Sequence, residues 1–118
     1  MEKVRATCRA VAAGRSPVVA VLGLAFKPDI DDLRNSPALA ITRTLLSFDD
    51  ILCRVVEPNI ASHPDISLTP YSEAVSNADV IVCLVAHKAF AGLRGRNPNA
   101  KVLNFCNLRI DPLQGAQS

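Results

Sequence analysis

The residues best suited to meet a ligand are concentrated between Leu24 and Asn35, where Lys27, Asp29, Asp31, Asp32 and Arg34 follow one another closely. An ammonium and a guanidinium interleaved with carboxylates have two uses. The charges can pair among themselves on a solvated loop, or the cations can hold a phosphate while the acids orient the loop. By pattern alone the two readings stand level. Phe26 is expected to anchor the stretch in the core while Lys27 points outward, and Pro28 restrains the backbone on the other side of Lys27. The acids fit orientation or ion pairing with Lys27 and Arg34 better than acid–base catalysis.

The flanking elements place this stretch. Val18 to Leu22 is apolar without alternation, which suits a central strand of a parallel sheet covered on both faces, and Gly23 ends it. Ser36-Pro37 is a helix-opening pair, a side-chain oxygen for the N-cap followed by a residue that lacks a donor where none is needed. Leu24 to Asn35 is therefore a loop at the carboxyl end of a strand and the start of a helix, where open α/β sheets bind ligands and where helix N–H groups favour an anion. A single glycine in that turn, Gly23, is not the Gly-x-Gly-x-x-Gly of a dinucleotide fingerprint, and Ala25 would partly block a pyrophosphate. The turn does not read as an NAD site. A lysine at position 27 could reach a phosphate from further away.

The rest of the chain supplies a layered α/β frame. Glu2 to Ala13 spaces Val4, Cys8, Val11 and Ala12 as a helix face, and Gly14 to Pro17 breaks it. A crossover helix is expected over Pro37 to Phe48, with Ala38, Ile41, Leu45 and Phe48 inward and Thr42, Arg43, Thr44 and Ser47 elsewhere. Strands follow at Ile51–Glu57 and Val80–Val85, with a short one at Ser67–Thr69 and a last one at Lys101–Phe105. Short helices fall at Tyr71–Asn77 and near Phe90, and the end from Gln114 reads as frayed. The order predicts an α/β fold, a Rossmann-like three-layer sandwich with a mostly parallel sheet of about five strands and right-handed crossovers.

Composition narrows the classes. At 118 residues with 49% hydrophobic content, one compact domain fits and a second does not. A net charge of +2, without a basic stripe interleaved with aromatics, argues against nucleic acid. The longest apolar run, Val18 to Phe26, is too short to span a bilayer, and no signal-peptide core opens the chain, so a cytoplasmic location is expected. Cys8, Cys53, Cys83 and Cys106 form no Cys-x-x-Cys pair and read as reduced thiols, Cys8, Cys53 and Cys83 as small core residues; no metal site is expected. Glu57 ends a strand where dinucleotide folds place a ribose-binding acid, yet without the fingerprint it reads as a loop cap. His87, alone at a strand end, reads as a local hydrogen-bonding residue rather than a catalytic one.

The run Gly-Leu-Ala-Phe-Lys-Pro-Asp-Ile-Asp-Asp-Leu-Arg-Asn-Ser-Pro-Ala closely resembles the signature that opens the C-terminal domain of nucleotide-sugar 6-dehydrogenases, the UDP-glucose/GDP-mannose dehydrogenase family. Its Ile30-Asp31-Asp32-Leu33-Arg34 version most resembles the UDP-N-acetylmannosamine dehydrogenase branch. The resemblance runs to about Phe90 and then thins. It implies that residues 1–15 are the end of an interdomain helix and linker, and 16–118 a C-terminal nucleotide-sugar-binding domain. It further implies that Lys27, supported by Phe26, contacts the substrate diphosphate, and that Arg34 reaches NAD held by an N-terminal domain. The nucleophilic cysteine would precede this chain, so no catalytic residue is expected within it, and the whole enzyme would be a homodimer. The implied reaction is oxidation of UDP-N-acetyl-D-mannosamine to its uronate for polysaccharide synthesis, with UDP-glucose or another UDP-sugar as the alternative substrate. The sequence departs from the family after the last strand, where an Asp and a basic residue usually stand: here the stretch is Leu103-Asn104-Phe105-Cys106-Asn107, with Arg109 nearby.

Two readings of other classes compete. A phospho-signalling receiver would need a phosphorylatable Asp ending a later strand, whereas Val80–Val85 runs into Ala86-His87. A non-catalytic Rossmann-like binding or dimerisation module would show no saturable nucleotide binding.

Overall fold

The computed structural model describes residues 2–11, 16–25, 36–90, 97 and 100–106. Helix α1 spans Glu2–Val11, strand β1 Val18–Leu22, helix α2 Pro37–Leu46 and strand β2 Leu52–Val56. Helix α3 spans Tyr71–Ser76, strand β3 Val80–Cys83 and strand β4 Lys101–Asn104, with a 3₁₀ turn at Lys88–Phe90.

The four strands form one parallel sheet in the order β2-β1-β3-β4. Register sets Leu22 beside Val56 on one side and Cys83 on the other, so the carboxyl ends of β2 and β3 flank that of β1. The apolar runs behave as continuous buried strands do: Val19, Ala20, Val21 and Leu22 of β1 and all four residues of β3 are fully buried. Val19, Val21, Val80, Val82 and Leu103 meet Val4 and Cys8 of α1 and Leu45 of α2 on one face. Ala20, Leu22, Val56, Ile81 and Cys83 meet Ala74 and Val75 of α3 together with Phe90 on the other. This is the expected three-layer sandwich. Each fully buried Val or Leu contributes about 1.5–3 kcal/mol, which is how strands of four or five residues suffice.

Three expectations change. The sheet has four strands among the described residues rather than about five: Ser67–Thr69 makes only an isolated bridge from Leu68 to Val55, and Pro70, which has no N–H, follows at once. Thr42 does not point away from the core but is fully buried, because its hydroxyl donates to the Ala38 carbonyl at 2.8 Å and is satisfied inside its own helix. β3 stops at Cys83, two residues short of Val85. Among the described residues, no helix is long and apolar enough to cross a membrane.

Candidate functional site

The chain leaves β1 for β2 on one side and returns to β3 on the other, so the topological switch point lies between the carboxyl ends of β1 and β3. A crevice of about 290 Å³ opens there. Ala25 lines it from the β1 side, Leu84, Val85 and Ala86 from the β3 side, Cys106 from beyond β4, and Pro37 and Ala38 from the start of α2. The positive end of a ten-residue helix therefore borders a largely apolar slot.

The backbone around the crevice is held tightly. Gly23 adopts φ +100°, and a Cβ there would lie 2.6 Å from that of Val85, so β1 can meet the segment after β3 this closely only with glycine. Ser36 caps α2 by accepting from the Leu39 N–H at 3.2 Å, and its hydroxyl donates to the Leu24 carbonyl at 2.6 Å. At the other end of β1, the Val18 N–H donates to Asp79 at 2.8 Å.

A buried polar cluster holds the backbone just after β1. Glu57 Oε1 accepts from the N–H groups of Leu24 and Ala25 at 2.9 and 3.1 Å, and Oε2 accepts from the Asn59 N–H at 2.9 Å. His87 Nε2 lies 2.8 Å from Glu57 Oε1, with both side chains essentially inaccessible. Asn59 Nδ2 lies 3.2 Å from His87 Nδ1, and the set is satisfied when Nε2 carries the ring proton and Nδ1 accepts. Burial pushes the Glu57 carboxyl upward, but the hydrogen bonds from His87 and from the backbone of Leu24 and Asn59 outweigh it, leaving it below its ordinary value. Glu57 thus caps the loops that follow β1 and β2, as the sequence predicts, whereas the ring hydrogen bonds of His87 are not local but reach residues 30 and 28 positions away. Their pairing, and the part of Asn59, were not read from the sequence. Neither side chain has an accessible edge with which to exchange protons with a ligand.

Phe26, Lys27, Asp29, Asp31, Asp32, Arg34 and Arg109 lie outside the described residues. What the structure brings together is the ground on either side of the signature loop: Leu24 and Ala25 before it, Ser36 and Pro37 after it, joined by the Ser36–Leu24 hydrogen bond. Cys106 reaches the same crevice, whereas Cys8 and Cys83 are buried in the core and Cys53 is half-buried at β2. Among the described residues no three His, Cys, Asp or Glu side chains converge on a metal position.

A family model described as the UDP binding domain of the UDP-glucose/GDP-mannose dehydrogenase family matches residues 20–107. UDP-N-acetyl-D-mannosamine dehydrogenase of Campylobacter jejuni is 46% identical over 97 residues, covering 76% of this chain and 23% of that protein. NDP-N-acetyl-D-galactosaminuronic acid dehydrogenase of Ralstonia solanacearum is 43% identical over 83 residues, covering 67% of this chain and 20% of that one. Among solved structures, the native UDP-N-acetyl-mannosamine dehydrogenase of Staphylococcus aureus matches with a TM-score of 0.74 at 26% identity, over 94% of this chain and 26% of that chain. This chain therefore spans only 20–26% of the length of these relatives.

Proposed function

The chain belongs to the UDP-glucose/GDP-mannose dehydrogenase family, and on that premise we propose that it is the C-terminal, UDP-binding domain of an NAD-dependent UDP-sugar 6-dehydrogenase. The observation that carries the reading is the crevice at the switch point, bordered by the start of α2 and by both stems of the loop that holds Lys27 and Arg34. In this reading residues 1–15 are the end of an interdomain helix and linker, and 16–118 the nucleotide-sugar-binding domain. Lys27 contacts the diphosphate with Phe26 as its anchor, and Arg34 reaches NAD held by a separate N-terminal domain. The contribution is orientation: the diphosphate is fixed so that the sugar carbon to be oxidised lies near a nicotinamide and a nucleophile supplied elsewhere. In the same reading the whole enzyme is a cytoplasmic homodimer that serves polysaccharide synthesis.

UDP-N-acetyl-D-mannosamine is the favoured substrate, on the Campylobacter relative and on the Ile30-Asp31-Asp32-Leu33-Arg34 segment. The Ralstonia relative, at similar identity, is named for a different N-acetylated sugar, and supports a second reading in which another UDP-sugar is oxidised. The test is calorimetry with UDP. Wild type should bind saturably, and Lys27→Ala should weaken binding by about 1.5–3 kcal/mol, less so as salt is raised. UDP affinity untouched by that substitution would sink the diphosphate assignment.

A further inference from the structure

We propose that Glu57 and His87 are positioning residues for UDP binding, holding Leu24 and Ala25, the residues that lead from β1 into the proposed diphosphate-binding loop. The proposal rests on the UDP-binding reading above.

Leu24 is gripped through both of its peptide groups: its N–H by Glu57 and its carbonyl by Ser36. Ala25, two positions before Lys27, is gripped through its N–H by the same carboxylate oxygen. A continuous chain of contacts thus runs from His87 after β3, through Glu57 after β2, to Leu24 after β1 and on to the cap of α2. A neutral acceptor would satisfy two backbone N–H groups without the several kcal/mol that desolvating a carboxylate costs. What the charge adds is shorter and stronger hydrogen bonds, and hence a stiffer loop entrance. His87 completes the arrangement from the opposite strand: with the proton on Nε2 it donates to Glu57, while Asn59 donates to Nδ1 and fixes the ring. A loop whose entrance is already fixed loses less freedom when its cation meets phosphate.

The experiment is a double-mutant cycle on UDP affinity, with thermal unfolding recorded for every variant. His87→Phe keeps a planar ring but removes the donor to Glu57; it should weaken UDP binding about tenfold, the lower end of what one hydrogen bond to a charged group contributes. In a Lys27→Ala background the same change should have no further effect, because its route to the ligand is already gone. His87→Gln, which can donate to Glu57 and accept from Asn59, should restore wild-type affinity. A purely structural role would lower the unfolding temperature and weaken UDP binding by the same factor in both backgrounds, and that outcome overturns the proposal. Asn59→Ala, at an exposed position, guards against a His87→Phe chain that does not fold; it should give a smaller loss, again only when Lys27 is present, and an unchanged affinity counts against the proposal. If Lys27→Ala itself leaves UDP binding intact, the diphosphate reading fails; if Lys27→Ala weakens binding while His87→Phe and Asn59→Ala do not, only the positioning role fails.

Discussion

The Ser36 hydroxyl donates a 2.6 Å hydrogen bond to the carbonyl of Leu24, tying the start of α2 to the end of β1 across the signature loop. The same oxygen accepts from the Leu39 N–H. Ser36→Ala therefore removes a helix cap and orphans a buried carbonyl at once, and should destabilise the chain by about 2–3 kcal/mol. Ser36→Thr should retain most of the stability. Ser36→Asp can cap the helix but sets a carboxylate against the Leu24 carbonyl, so it should fall nearer to Ala. Chemical denaturation of the three variants checks the order, and an alanine variant as stable as wild type would remove the tie from the account.

Gly23→Ala asks for a left-handed backbone from a residue with a Cβ and places that Cβ 2.6 Å from the Cβ of Val85. Strain and overpacking together should cost about 2–5 kcal/mol. A loss below 1 kcal/mol on denaturation would mean that the segment after β3 yields easily.

The frame was legible because its signals are local. Val18–Leu22 and Val80–Cys83 are apolar runs too short for helices, and Ser36-Pro37 announces α2 by side-chain chemistry alone. Thr42 was misplaced because its polarity was read as exposure, when its hydroxyl closes on Ala38 one turn back. The Glu57–His87 pair was invisible for the opposite reason. The residues are 30 positions apart and meet only because β2 and β3 both flank β1, a fact of strand order rather than of periodicity. Once that order is known, Glu57, the first residue beyond β2, and the stretch from Leu84 to His87 beyond β3 become candidates for contact around Gly23 to Ala25.

Glu57 should contribute to stability at neutral pH and lose that contribution in acid. Its carboxyl lies below its ordinary value in the folded chain, so it binds its proton more readily when unfolded; its contribution is present above the ordinary carboxylate value and is lost as pH falls through the lower folded value. Unfolding free energy should drop as pH is lowered below the ordinary carboxylate range. Glu57→Gln should be less stable at neutral pH and show a flatter acid limb. A variant whose acid limb overlays that of wild type would mean that other carboxylates carry the effect.

In the full-length dehydrogenase proposed here, Arg34→Ala should raise the Michaelis constant for NAD more than that for the sugar nucleotide, because Arg34 is assigned to the cofactor side of the cleft. One charge-assisted hydrogen bond sets the scale at about 1.5–3 kcal/mol. Steady-state kinetics with each substrate varied in turn decide it, and equal effects on the two constants would remove the assignment.

The cysteines offer a direct probe of the crevice. Burial pushes the Cys83 thiol up to about 12, with a smaller contribution from Cys106, and burial pushes Cys53 to about 11, with a smaller contribution from Cys8. Cys8 is raised as well, first by burial and then by Asp50 and Asp79. Only a thiolate reacts readily, so these three should be alkylated slowly by iodoacetamide at about pH 8. Cys106 is half-buried and lines the switch-point crevice beside Ala25, Pro37 and Val85. It should be carboxamidomethylated first, with the site read by peptide mass spectrometry. If UDP occupies that crevice, saturating UDP should slow the Cys106 reaction several-fold while leaving the other three unchanged, and Lys27→Ala should shift the protecting concentration upward. Protection at Cys53 without protection at Cys106 would move the nucleotide away from the end of β1 and toward β2.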